Sequence, residues 1–157
     1  MQIKDILNSI KSLWSKMKNK SAITVALSST IEGFRLDNTD KTINLNTELF
    51  KKGTNLTLNN GQITIGSGIN YISVSANLGC YLAQNGSGYI RIGICKNGER
   101  IKYVRRDATL SQRVDMNMSN LLIEVSEGDI ITFVVESSAN QSIAIEDDTT
   151  YMTVVEI

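Results

Sequence analysis

From Ser21 to the end of the chain, apolar and polar residues alternate with a period of two, and short Ile-, Val- and Thr-rich runs are separated by turn residues. That period places successive side chains on opposite faces of an extended backbone, so most of this chain must be strand. Ile90, Ile92 and Ile94 alternate with Tyr89, Arg91, Gly93 and Cys95, which marks one core-facing side of a strand. The same reading expects strands over 23–27, 31–36, 42–46, 56–58, 62–65, 70–84, 88–96, 99–106, 109–124, 129–137, 141–146 and 150–157. Asn60-Gly61 and Asn97-Gly98 predict tight hairpins, because both central residues of such a turn must accept positive φ. Asn85-Gly86 and Glu127-Gly128-Asp129 mark two further turns. Many short strands at regular spacing predict an all-β antiparallel sandwich or jelly roll rather than an α/β fold.

The first 20 residues follow a different period. Ile3, Ile6, Ile10, Leu13 and Met17 are spaced 3, 4, 3 and 4 apart, with Leu7 and Trp14 widening the stripe. This is a short heptad seam on an amphipathic α-helix, and isoleucine at both a and d positions favours three strands. A lone helix of this length is marginal in water, so the stripe must be covered. Three covers are open: copies of itself or a docking partner, its own domain, or an anionic membrane surface, given five Lys against one Asp. The chain is expected to divide into residues 1–20, a helix for trimerisation or docking; 21–44, connecting strands or linker; and 45–157, a head domain. No apolar run reaches the length of a membrane span, and the N-terminus has no signal-peptide core.

Composition removes several chemistries. The chain contains no histidine, which excludes Ser-His and Cys-His nucleophiles and imidazole metal ligands. Two cysteines cannot build a four-thiolate zinc site, and Cys80 and Cys95 read as buried free thiols. Gly61, Gly66 and Gly68 lie between strands and read as turn residues, not as a phosphate loop. No cofactor is expected, and the chain is expected not to be an enzyme. Sixteen basic residues balance sixteen acidic ones, which argues against an overall grip on nucleic acid. The balance conceals segregation. Residues 1–20 carry +4, residues 91–113 carry +5 and residues 114–157 carry −9.

Two groups of side chains are candidates for binding. Arg100, Lys102, Arg105 and Arg106, with Tyr103 among them, offer guanidinium forks and an aromatic plane to an anionic sugar or phosphate. They also read, and more simply, as the charged, solvated edge of a hairpin. Glu146-Asp147-Asp148, beside Thr149 and Thr150, presents carboxylate oxygens, but calcium wants six to eight ligands. Asp115 or Asp129 would have to help, so this run reads as a solvated loop, and no metal is expected. Around 130–135 and 151–155 both strand faces are apolar, which predicts a second burial, either under covering loops or in a subunit interface.

Three pieces of the chain resemble the jelly-roll module shared by tumour necrosis factor and the complement globular head. They are Asn59-Asn60-Gly61-Gln62-Ile63-Thr64-Ile65 with Tyr71-Ile72-Ser73-Val74-Ser75-Ala76; Gly88-Tyr89-Ile90-Arg91-Ile92 through Lys96-Asn97-Gly98-Glu99; and Glu127-Gly128-Asp129-Ile130-Ile131 with the closing Thr150-Tyr151-Met152-Thr153-Val154-Val155-Glu156-Ile157. The resemblance covers about residues 45–157. It implies a homotrimer packed through one sheet, with Phe133 and Tyr151 at or near the threefold axis. The Asn-, Ser- and Thr-rich style is similar to modules on phage tail fibres, baseplates, capsid fibres and bacterial spores. It therefore implies a virion protein assembled in the host cytoplasm. The helix would dock other virion proteins and the head would bind a host-surface ligand such as a glycan. A capsid decoration or connector without a ligand, and a bacterial surface trimer for adhesion or signalling, are the alternatives.

Overall fold

The computed structural model describes residues 8–12, 15, 19–82, 88–108, 113–138 and 140–157. Among the described residues thirteen strands follow one another: β1 (Ala22–Ala26), β2 (Ile31–Leu36), β3 (Lys41–Thr42), β4 (Thr47–Lys52), β5 (Leu56–Asn59), β6 (Gln62–Ile65), β7 (Tyr71–Leu82), β8 (Gly88–Lys96), β9 (Glu99–Ala108), β10 (Arg113–Glu124), β11 (Ile130–Ser137), β12 (Gln141–Ile145) and β13 (Tyr151–Glu156). They form two antiparallel sheets. The larger runs β2-β12-β7-β13-β1-β4, with β10 on the other side of β7. The smaller runs β5-β6-β11-β8-β9, with β3 beside β11. Residues 8–12 and 15 are helical, as the N-terminal periodicity predicts. Ile3, Ile6, Leu13 and Met17 lie outside the described residues, and Ile10 is 45% exposed.

The alternation expected from the sequence sets the core. Ile90, Ile92 and Ile94 of β8 and Ile131, Phe133 and Val135 of β11 meet Ile72, Val74, Ala76 and Leu78 of β7 and Met152 and Val154 of β13 in one continuous cluster. Both Asn-Gly turns have the backbone they predict: φ is +48 and +72 at Asn60-Gly61, and +53 and +83 at Asn97-Gly98. Cys80 and Cys95 are free and buried, and burial pushes the Cys80 thiol up to about 12.

Three expectations need correction. First, residues 21–44 are not a linker to a separate head. β1 lies between β13 and β4, β2 pairs β12, and β3 pairs β11, so this segment completes both sheets, and Ile23 and Val25 are core residues. Second, 42–46 is strand only at Lys41–Thr42; Ile43 and Leu45 are buried without a ladder. The next strand, β4 (Thr47–Lys52), was not expected; its adjacent Leu49 and Phe50 are both exposed at a sheet edge. An edge strand that buries neither face shows no alternation, so nothing in the sequence announced it. Third, Phe133 is 0% exposed and packs between the sheets of its own chain, so its ring is not available to an axis.

The segregated charge blocks interleave when the sheets form. Arg91 and Arg100 meet Glu136, Lys96 meets Asp129, and Arg113 meets Glu146. Antiparallel pairing of β8 with β11 accounts for the first of these, because it sets Arg91 opposite Glu136.

Candidate functional site

The β8–β9 hairpin decides what the basic residues do. Its register places Ile90, Ile92 and Ile94 opposite Arg106, Val104 and Lys102, whereas Arg91, Gly93 and Cys95 stand opposite Arg105, Tyr103 and Arg100. Paired residues share a face. The five expected ligand-binding residues are therefore split. Arg100, Tyr103 and Arg105 lie on the outer face of the smaller sheet. Lys102 and Arg106 lie on the core side, where Arg106 reaches across the sandwich edge and donates to the carbonyl of Asp115 in β10 (2.9 Å).

On the outer face, arginines and tyrosines alternate in space. Arg105 and Arg91 lie over the ring of Tyr89, 4.3 and 4.2 Å from its centroid, and Arg91 and Arg100 flank Tyr103 at 5.0 and 5.8 Å. Such contacts are favourable because the ring face is electron-rich. Gly93 keeps the layer flat: a Cβ there would fall 3.2 Å from Val134 Cγ2 and 3.1 Å from the carbonyl of Lys102. This covering layer is the second burial that the doubly apolar β11 required. Its outer side chains Thr132, Val134 and Glu136 are buried by their own chain.

Glu136, only 5% exposed, holds the layer together. One of its oxygens lies 3.6 Å from the Arg91 guanidinium and the other bonds Arg100. Arg100 also donates from Nε to Asp40 at 2.9 Å. Asp40 and then Glu136 keep Arg100 protonated more firmly than an ordinary arginine. Arg105 pairs with Asp107 at 2.8 Å, so each of the three arginines has a carboxylate partner. The face offers planes and polar edges but little unneutralised charge, and Tyr103 is its most open ring at 48% exposure. Sequence reasoning missed Tyr89, Arg91, Asp40 and Glu136. The i, i+2 spacing of Tyr89 and Arg91 was legible; their alignment with Tyr103, and with Asp40 and Glu136 beside it, needed the register.

The outward face of the larger sheet has another character. Ser73, Ser75 and Asn77 of β7 stand opposite Val155, Thr153 and Tyr151 of β13, and Thr24 of β1 shares a hydroxyl contact with Thr153 at 3.0 Å. Around these short, uncharged side chains, Tyr71, Leu122, Phe50 and Tyr151 are exposed. Tyr151, expected at an interface, is thus on an open face.

The acidic run does not converge. Asp147 accepts from the Thr30 hydroxyl (2.8 Å) and Glu146 pairs with Arg113 (3.0 Å), while Asp129 is engaged by Asn97 and Lys96. Among the described residues, no three Cys, Asp or Glu side chains are arranged to hold a metal, and no helix is long and apolar enough to cross a membrane.

The two-sheet sandwich, with β13 between β1 and β7, superposes on solved structures. Murine APRIL superposes with a TM-score of 0.64 at 11% identity, covering 88% of this chain and 99% of that one. The fold is that of the tumour necrosis factor jelly roll. Eiger TNF from S. frugiperda (TM-score 0.60, 9% identity, 88% and 91% covered) and pika GITRL (0.55, 14%, 89% and 97%) share it. No protein-family model and no curated protein matches the sequence. At such identities the likeness concerns the tumour-necrosis-factor-like backbone, and function has to be argued from the two faces.

Proposed function

We propose that this chain is the head of a homotrimeric virion protein, part of a tail fibre, baseplate or capsid fibre. Three copies pack through the outward face of the larger sheet, and the helical N-terminus docks to other virion proteins or joins the trimer. The observation that carries the reading is the character of that face. A flat centre of Ser73, Ser75, Asn77, Thr24 and Thr153 permits close approach, and exposed Tyr71, Tyr151, Leu122 and Phe50 supply apolar area. Exposed aromatic residues gathered on one sheet are what an unfilled interface looks like. The Arg–Tyr layer lies on the opposite sheet, which leaves it free in a trimer to meet a host-surface ligand such as a glycan. This is a binding role rather than a catalytic one.

Light scattering tests the trimer directly. The expected mass is three times the 17.3 kDa chain. Ser73→Arg, a long charge in the centre of the face, should give folded monomer with an unchanged circular dichroism spectrum. A monomeric wild type at micromolar concentration would overturn the proposal. One observation favours the second reading, a connector or decoration protein without a ligand: each arginine of the Arg–Tyr layer already has a carboxylate. A glycan array and a host-cell adsorption assay on the trimer separate the two.

A further inference from the structure

A second concave site lies where the N-terminal segment enters the sandwich. Residues 19–21 and the β4–β5 turn, residues 52–55, line an open cleft of about 400 Å³. Its floor is fixed. Ser21 is buried, its amide donates to Glu156 Oε2 at 2.8 Å, and its carbonyl accepts from the Glu156 amide at 2.9 Å. Gly53 closes the turn directly onto this floor. It holds φ at +74, and a Cβ there would fall 2.5 Å from Ser21 Oγ, so only glycine fits without displacing one or the other.

Two cations line the cleft, and among the described residues neither Lys20 nor Lys52 has an ion-pair partner. Lys51, next in the chain, is paired with Glu48 at 3.5 Å. The cleft is thus the opposite of the Arg–Tyr layer, where each guanidinium is neutralised. Asn19 and Thr54 add an amide and a hydroxyl to the lining, and among the described residues no carboxylate contributes to it. Glu156, the acid nearest the floor, is engaged by the Ser21 amide.

We propose that this cleft binds a phosphate-type oxyanion between Lys20 and Lys52. Ammonium groups bind phosphate as point charges through charge-assisted hydrogen bonds, and a rigid floor lowers the ordering cost of holding it. Lys52 stands in the same cross-strand row as Ala22, Val155 and Ser73, so the cleft lies at the edge of the outward face, but its lining includes none of the residues in the centre of that face.

The test uses the full chain labelled with ¹⁵N and titrated, at constant ionic strength, with inorganic phosphate, a glycerophosphodiester or chloride. Saturable shifts of the Gly53 and Thr54 amides with either phosphate and not with chloride are expected. The tighter of the two phosphates then identifies the ligand class as free or monoester phosphate, or as phosphodiester. Lys20→Ala and Lys52→Ala should each weaken binding about tenfold, and Lys52→Arg should retain it. Both lysines are on the surface, so an unchanged melting temperature confirms that each variant is folded. An equal response to chloride, or shifts that persist in the Lys20→Ala/Lys52→Ala double variant, would overturn the site.

Discussion

Replacing Glu136 by Ala removes the one carboxylate that two arginines share. Glu136 is 6% exposed at its side chain, whereas Arg91 and Arg100 are 22% and 27% exposed. Breaking a fully buried pair costs about 3–5 kcal/mol, chiefly through the charge left behind. Here water reaches both arginines and Asp40 still neutralises Arg100, so we take roughly half, about 2 kcal/mol. Arg91 bears most of it. Its Nε is already buried without a hydrogen-bond partner, and Glu136 is its only ion-pair partner among the described residues. In urea, with a slope of about 2 kcal/mol/M, the midpoint should fall by about 1 M; on heating, Tm should fall by about 4–8 °C. Protomer concentration must be held constant, since an oligomer's stability depends on it. Arg105→Ala is the control. Its pair with Asp107 is exposed, and its removal should cost less than about 0.5 kcal/mol. A Glu136→Ala variant within about 0.5 kcal/mol of wild type would show that the layer does not depend on its buried carboxylate, and the reasoning would fail.

Asp129 gives a prediction about pH. Asn97 first, then the Ser126 amide and Lys96, hold its carboxyl below the ordinary carboxylate range. A depressed folded-state pKa contributes stability above the unfolded value, and this is lost as pH falls through the folded one. Asp129→Asn should therefore flatten the acid limb of a stability–pH curve below about pH 4; an unchanged limb would count against it. Gly79→Ala should destabilise by about 1–3 kcal/mol in chemical denaturation, since its Cβ would lie 1.8 Å from Thr149 Oγ1. Cys80, with its thiol raised to about 12 by burial, should resist alkylation in native protein and react once urea unfolds it; rapid native labelling would contradict its burial.

Local chemistry was legible in the sequence. The alternation of Ile90, Ile92 and Ile94 named a core face, and Asn60-Gly61 and Asn97-Gly98 fixed two turns, because side-chain period and φ preference are properties of neighbouring residues. The jelly-roll expectation rested on the resemblance of three short stretches, each again a run of neighbouring residues. What failed were features set by partners distant in the chain. β4 has no period because it sits at an edge. Phe133 looked available for an axis because one strand does not reveal that its own domain covers both of its faces. Arg105 and Arg106 are adjacent in the sequence yet serve opposite faces, and no motif announces that Glu136 meets Arg91 and Arg100. Charge shows the division most clearly. The sequence by itself determined that basic residues concentrate in 91–113 and acidic ones in 114–157. Only the tertiary structure decided which of these charges pair across the blocks: antiparallel pairing of β8 with β11 brings Arg91 to Glu136, and Arg100, Lys96 and Arg113 meet Glu136, Asp129 and Glu146. It also left Lys20 and Lys52 lining one cleft without an ion-pair partner among the described residues, at the join of two segments that the sequence separates by about thirty residues.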